Sequence, residues 1–240
     1  MRDYLLDLVK HSHDLGCFDL IKIEGTDQET KITGLGADQS VVLSGKFHNP
    51  VPDFIGTFGM PNLNKLKIIL NLEEYREGAT LTKTFNSQNE LDGIEFKNAA
   101  GDFKNNYRFM VANVITSKLK TPKFAGVNWH IKFEPSVASV QRLKWQAAAN
   151  AEEPFFQVKT DGNDLKFSFG DHSSHAGSFV FQHDVGGSLK RAWHYPVNTF
   201  INILNLSGDK IVQMSDDGAA QITVDSGLGL YTYILPAQTK

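Results

Sequence analysis

Short runs of alternating apolar and polar residues dominate the chain, the pattern of half-buried β-strands. In the first half they predict strands at Phe18–Gly25, Thr30–Gly36, Ser40–Phe47, Ala79–Ser87, Asp92–Asn98 and Asn106–Val114. Two segments show helical spacing instead: Tyr4–Leu15 and Asn62–Leu70, the second directly after Pro61.

The second half repeats this order of elements. A helix is predicted from Pro135 to Ala149 and a second, short one from Val197 to Leu206. Around them, strands are predicted at Trp129–Glu134, Phe155–Gly162, Asp164–Asp171, Ser178–Val185, Lys210–Asp216, Ala219–Ser226 and Leu230–Pro236.

The two halves match at an offset of about 135 residues, which indicates a tandem duplication. The strand–turn–strand segment beginning at Phe18 matches the one beginning at Phe155, and the helix at Leu63 matches that at Asn198. We predict domains at 1–115 and 127–240, joined by a connector at 116–126 rich in Lys, Pro and Gly. Strand links too short for crossovers favour an α+β fold with antiparallel sheets and two short helices per domain.

Composition and charge narrow the class of protein. An apolar fraction of 41% is ample for a packed core, and a single Cys rules out an intrachain disulfide. No apolar run is long enough to span a membrane, and acids and histidines interrupt the N-terminal apolar run, so it is not a signal peptide. We therefore expect a cytoplasmic protein without membrane contact. The net charge of −3 argues against a uniformly basic nucleic-acid binder but permits one basic surface.

The closing segment carries a family resemblance. Met214–Asp217 followed by the strand Tyr231–Pro236 resembles the last hairpin of the proliferating cell nuclear antigen family of DNA sliding clamps, and Val137–Leu143 resembles a helix of the clamps of T-even-type phages. The resemblance implies a homotrimeric ring of six domains that encircles duplex DNA, is opened by a clamp loader and tethers a DNA polymerase in an infected bacterial cell. It implies no enzyme activity and no cofactor.

In such a ring the helices line the hole, and their basic residues meet phosphates without reading bases. A helical wheel with core stripes through Val137, Val140, Leu143 and Ala147 and through Leu63, Leu66 and Leu70 places Arg142 and Lys65 opposite the core. The residues expected to face DNA are Lys65, Lys67, Arg142, Lys144, Lys190, Arg191 and Lys10. Without the resemblance, these would be ordinary solvated residues. The first helix differs from the basic helices expected to line the hole of a clamp, because Asp3, Asp7 and Asp14 form an acidic stripe on it.

Clamps bind partner peptides in an apolar pocket beside the connector and the last strand. Here the corresponding residues are Leu35, Leu119, Pro122, Phe124, Tyr233, Ile234, Leu235 and Pro236. An ordinary final strand with alternate residues in the core accounts for about half of this cluster. A partner's short apolar peptide is the expected occupant.

Subunits are expected to meet by strand pairing at sheet edges, between Asn106–Val111 of one copy and Ser178–Gln182 of the next. The candidate interface residues are Tyr107, Phe109, Val111, Phe179, Val180 and Phe181. When two apolar edge strands pair, neither remains exposed. A single chain would otherwise have to protect each edge against aggregation.

Enzyme chemistry has little support in the sequence. His172 and His175, with Asp171 adjacent and His183 beyond, could form a metal pair or a hydrolytic site, but they lie in a polar turn and no Cys cluster or HExxH accompanies them. The lone Cys17 is expected to be a core residue. The main prediction is a non-enzymatic processivity factor. The alternative is a two-domain β-rich viral structural or assembly protein, which the repeat fits equally well.

Overall fold

The computed structural model describes residues 1–120, 126–171 and 175–238. The chain forms two compact units. The first comprises Met1–Pro122 and the short segment Ser226–Tyr231, and the second comprises Lys123–Asp225 and Thr232–Lys240. The first unit thus includes a segment from near the end of the chain, which a division of the sequence into consecutive blocks does not provide for.

The described residues of the first unit contain three α-helices: α1 (Arg2–Lys10), α2 (Leu63–Asn71) and α3 (Ala112–Lys118). α1 buries Leu5, Leu8 and Val9 and packs against α2. α2 begins after Asn62, whose side chain accepts a hydrogen bond from the backbone N–H of Lys65 at 3.2 Å. This cap satisfies one of the N–H groups that a helix start leaves without a partner. The buried face of α2 consists of Leu63, Leu66, Ile69 and Leu70.

The strands of the first unit form two antiparallel sheets. They are β1 (Leu20–Gly25), β2 (Thr30–Leu35), β3 (Val42–Phe47), β4 (Gly56–Pro61), β5 (Thr80–Phe85), β6 (Leu91–Lys97), β7 (Lys104–Arg108) and β8 (Met110–Val111). One sheet has the order β8-β4-β1-β2-β3 and the other β5-β6-β7. In β1 the buried residues alternate strictly with accessible ones, as the sequence pattern predicts.

The prediction that Asn106–Val114 forms one strand is wrong. The structure breaks it at Phe109 and starts helix α3 at Ala112. The helix packs closely on β4, where a Cβ added to Gly59 would lie 2.8 Å from Cδ1 of Ile115. Burying Ile115 against a strand residue without a side chain therefore stabilises a helix where local β-propensity favours a strand.

The second unit repeats the theme with two helices, α4 (Val137–Ala149) and α5 (Val197–Leu204). Its strands are β9 (Ile131–Phe133), β10 (Phe155–Asp161), β11 (Asp164–Phe169), β12 (Gly177–Gln182), β13 (Trp193–Pro196), β14 (Asp209–Ser215), β15 (Ala219–Asp225) and β16 (Gly229–Pro236), the last of which begins in the first unit. Its neighbouring strands follow the orders β12-β11-β10-β13 and β16-β15-β14-β9.

Phenylalanine fills the core of the second unit. The ring of Phe167 stacks on that of Phe181 with centroids 4.3 Å apart, and Phe156 meets Phe200 edge to face at 5.0 Å. Aromatic contacts in these geometries stabilise a core beyond their buried area. Among the helices in the described parts of the chain, none combines the length and apolarity of a membrane span.

Candidate nucleic-acid interface

The accessible face of α2 carries two lysines. Lys65 is exposed, and Lys67 is 44% exposed with its Nζ 2.8 Å from Oδ1 of Asp14. Both flank Leu66, which is fully buried. Successive residues of an α-helix are about 100° apart, so each lysine lies to one side of the helix and neither lies opposite its core. The position opposite the core belongs to Ile68, which is 55% exposed. The prediction that Lys65 points directly away from the core is thus wrong.

Helix α4 has the same arrangement around a single buried residue, Leu143. Arg142 and Lys144 flank Leu143, and Trp145 projects outward with 64% exposure. The guanidinium carbon of Arg142 lies 5.3 Å from the ring centroid of Phe179, a cation–π contact that holds the side chain sideways over β12. Val137, predicted as part of the core stripe, is 88% exposed at the helix start.

The charge on these two helices is of one sign. The sequences of α2 and α4 contain two basic residues each and no acidic residue. Because the whole chain has a net charge of −3, this is a local positive excess. Such a surface attracts polyanions without the sequence selectivity that base contacts would give.

The acidic stripe predicted on α1 is not formed. Asp3 is exposed, but the Asp7 side chain is only 10% exposed and turns inward. Its Oδ2 accepts hydrogen bonds from the Tyr231 hydroxyl at 2.7 Å and from the Ser226 hydroxyl at 3.0 Å. Burial raises the pKa of Asp7, but these bonds and the contact with His11 outweigh it, so the net pKa is lowered. Lys10 is exposed at the end of this helix.

Lys190 and Arg191 lie in the loop before β13, outside any helix, and both are exposed. The backbone N–H of Arg191 donates a hydrogen bond to Oδ1 of Asp216 at 2.9 Å. An acidic side chain therefore stands beside this basic pair, as Asp14 does beside Lys67 of α2.

The residues predicted for partner binding have different environments. Leu35 is half-buried in β2, and Leu119 is buried just after α3. In β16, Tyr233 and Leu235 are fully buried, while Ile234 and Pro236 keep accessible surface. The alternation of buried and accessible residues along β16 thus makes Tyr233 and Leu235 core residues. Pro122 and Phe124 lie outside the described residues.

The predicted subunit-contact residues also divide into buried and accessible ones. Tyr107, Phe109, Phe179 and Phe181 are buried within their own units, and the Tyr107 hydroxyl donates a hydrogen bond to the carbonyl of Pro61 at 2.6 Å. Val111 is 41% exposed and Val180 is half-buried. Both strands are sheet edges, since β7 and β12 each have one neighbour in their sheets. The backbones and valines are thus accessible, whereas the aromatic rings are core.

The first unit also has an exposed apolar groove that the sequence pattern did not predict. Ile55 and Phe85 are 42% and 51% exposed and line it together with Val111 at the edge strand β8. The groove has a volume of about 520 Å³. The residues lie far apart along the chain, so only the sheet pairing brings them together.

The residues suggested for metal or hydrolytic chemistry do not form a described site. Asp171 and His175 are exposed, and His172 lies outside the described residues. His183 pairs instead with Asp164, with Nδ1 3.1 Å from Oδ1. Within residues 1–120, 126–171 and 175–238, no group of three His, Cys, Asp or Glu could hold a metal ion. Burial, with the nearby charge of Asp38, raises the pKa of Cys17 to about 12, so its thiol is not a nucleophile at neutral pH.

No protein-family model matches the chain, and no curated protein sequence does. Solved structures do match. PCNA from Thermococcus kodakaraensis superposes with a TM-score of 0.68 at 13% identity, covering 99% of this chain and 97% of that one. The chain has the PCNA-like sliding-clamp fold.

A second solved structure gives the same result. It is the complex of the C-terminal region of FEN-1 with A. fulgidus PCNA, which matches with a TM-score of 0.68 at 11% identity over 98% of this chain and 96% of that one. Both matches confirm the predicted fold class: α+β, with antiparallel sheets and few short helices. At such low identity the likeness establishes the fold alone.

Proposed function

We propose that the protein is a DNA sliding clamp: three copies close head to tail into a ring around duplex DNA and hold a polymerase on its template. The observation that carries this proposal is the PCNA-like fold over 99% of the chain. A two-domain chain fills a six-domain ring as a trimer, and a head-to-tail contact closes when successive subunits are related by a threefold rotation. The mechanism is topological and uses no catalysis or cofactor.

The basic helices support contact with DNA. α2 and α4 carry only positive charge, on a chain whose total charge is negative. A ring that slides needs contacts to phosphates that are independent of sequence and individually weak, because strong base contacts would stop it. Lys65, Lys67, Arg142 and Lys144 are the residues we assign to this role, with Lys10, Lys190 and Arg191 at its periphery.

The subunit contact is proposed between the edge at β7 and β8 of one copy and β12 of the next. Pairing two edge strands satisfies backbone groups that each unit leaves open. Val111 and the exposed apolar groove with Ile55 and Phe85 adjoin one edge, and Val180 lies on the other. Apolar surface at both edges favours burial in an assembly.

The partner site is proposed at the end of β16, where Ile234 and Pro236 are accessible and Tyr233 and Leu235 are buried. The A. fulgidus PCNA structure contains the C-terminal region of FEN-1, which supports a short peptide as the bound form. A polymerase and a clamp loader would each dock such a peptide.

Two measurements test the proposal. Size-exclusion chromatography with light scattering at low micromolar concentration should give three times 26.7 kDa. The protein is then mixed with linear duplex DNA at high concentration, so that rings thread over free ends, and the ends are blocked with a bound protein. A ring stays on the blocked duplex through a salt wash and leaves when a restriction enzyme reopens an end. If the protein is lost from the blocked duplex as readily as from the duplex with a reopened end, or if it forms a larger shell-like assembly, a viral structural protein is favoured instead.

A further inference from the structure

Helices α2 and α4 share a five-residue pattern. Asn64–Ile68 reads Asn-Lys-Leu-Lys-Ile, and Gln141–Trp145 reads Gln-Arg-Leu-Lys-Trp. Each has a side-chain amide, a basic residue, a Leu, a Lys and a large apolar residue, in that order. α2 is the second helix of its unit and α4 the first helix of the other, so the pattern does not follow from matching positions in the duplication.

The structure gives both patterns the same exposure. The central residues, Leu66 and Leu143, are fully buried, so residues two positions further on lie about 200° around the helix and point to solvent. Ile68 is 55% and Trp145 is 64% exposed. Single exposed apolar residues are ordinary, but here the same position on two helices is filled by large apolar side chains that packing does not require.

The neighbours of these side chains favour an anionic ligand. Each apolar residue has basic residues one and three positions before it: Lys67 and Lys65 for Ile68, and Lys144 and Arg142 for Trp145. Neither helix contains an acidic residue. Lys67 forms an ion pair with Asp14, which reduces its net charge, and Arg142 lies over the Phe179 ring, so both side chains have defined positions on their helices.

A nucleic-acid strand has the matching chemistry. Its phosphates are regularly spaced anions, and along a duplex the sugars between them present apolar surface, while the base faces stay stacked inside. An acidic peptide offers the charge but no regular apolar surface between charges. We infer that Trp145 and Ile68 contact duplex DNA directly, each against the apolar sugar surface of a strand whose neighbouring phosphates are bound by the basic residues of the same helix. This inference rests on the proposed function and adds an apolar contact to it.

The experiment uses the intrinsic fluorescence of Trp145. The chain has three Trp residues, and Trp129→Phe with Trp193→Phe leaves Trp145 as the only emitter. Saturating duplex DNA should shift its emission and reduce its quenching by acrylamide. A variant that keeps Trp129 alone is the matched control and should not respond. Equal concentrations of single-stranded DNA and of polyglutamate show whether an exposed base or an acidic peptide gives the same protection. Protection by polyglutamate as strong as by DNA would overturn the inference in favour of a protein partner.

Affinity measurements provide the second test. Trp145→Ala should weaken duplex binding about fivefold, the effect of losing roughly 1 kcal/mol of apolar contact, while Trp145→Phe should bind nearly as well as the wild type. Ile68→Ala should weaken binding in the same direction. Leu230→Ala removes an exposed apolar side chain (43% exposed) from β16, outside the proposed contacts, and should have no effect.

The outcomes separate this inference from the proposed function. If charge reversal at Lys65 and Arg142 weakens DNA binding but Trp145→Ala does not, the helices bind DNA by charge alone and the inference fails. If neither change matters, the DNA-binding role of these helices fails as well. Circular dichroism and the trimer mass identify variants with folding defects. If Trp145→Ala is misfolded, the fluorescence of the Trp145-only protein still tests whether Trp145 contacts DNA.

Discussion

The hydroxyl of Tyr231 donates a hydrogen bond to Oδ2 of Asp7 at 2.7 Å. The bond joins the first helix of the chain to its last strand, within the first unit. Ser226 donates to the same oxygen at 3.0 Å, and the ring of His11 stacks on Tyr231 with centroids 4.3 Å apart. The two ends of the sequence are thus tied together by one buried carboxylate, and its removal should affect the stability of the whole unit.

Asp7→Asn is therefore expected to lower the free energy of unfolding by about 2 kcal/mol, the usual range for hydrogen bonds to a charged group. Urea unfolding followed by circular dichroism measures the change. Asp3→Asn is the matched control on the same helix, since Asp3 is exposed and should change stability little. Equal effects from the two substitutions would mean that the contact of Asp7 with Tyr231 contributes nothing specific.

The stability of the protein should also depend on pH through Asp7. Its pKa in the folded protein lies below the ordinary value of 3.8, so the folded state favours the ionised form. The stabilisation is complete above that ordinary value and is lost as pH falls through the lower, folded pKa. The free energies of unfolding of the wild type and of Asp7→Asn should therefore converge as the pH is lowered below about 3.8. A constant difference down to strongly acidic pH would contradict this assignment.

The order of strands and helices could be predicted from the sequence because alternation and helical spacing are local properties. Roles set by contacts distant in sequence could not. Asp7 looks like part of an exposed stripe until Tyr231 and Ser226 are placed beside it, and Asn106–Val114 looks like one strand until Ile115 meets Gly59. The wheel for α4 failed because it assumed a wide core stripe, whereas only Leu143 is buried and the outward position belongs to Trp145.

Gly59→Ala tests the close packing of α3 on β4. The added Cβ would lie 2.8 Å from the Ile115 side chain, which real Cβ atoms do not tolerate, so overpacking should cost about 1–3 kcal/mol. A double-mutant cycle with Ile115→Ala measures the coupling. The two losses of stability should add to more than the loss in the double variant, because the smaller side chain relieves part of the clash. Strict additivity would show that the two residues do not meet.

The proposed subunit contact is best tested at its accessible valines. Phe179→Asp would bury a charge in the core of the second unit and unfold it whatever the assembly. Val111→Asp and Val180→Asp should instead leave the fold intact and place a carboxylate at the contact, shifting the trimer to monomer at low micromolar concentration. Val137→Asp, at a residue 88% exposed on α4, is the control and should stay trimeric. Trimers in both edge variants would exclude this contact.

Reversing charge on the two basic helices tests contact with DNA. Lys65→Glu and Arg142→Glu change residues that carry no core packing, although Arg142 also loses its contact with Phe179, worth about 0.5–1 kcal/mol at an exposed site. In a trimer the double variant alters six positions. Each phosphate contact that is lost should reduce the slope of log affinity against log salt by at most about 0.9, so duplex binding should weaken most at low salt. Lys159→Glu introduces the same charge change at an exposed residue of β10 and should leave DNA binding unaltered. If the double variant keeps the wild-type salt dependence while its trimer mass and melting temperature are normal, these helices do not face DNA, and the loop with Lys190 and Arg191 becomes the next surface to reverse.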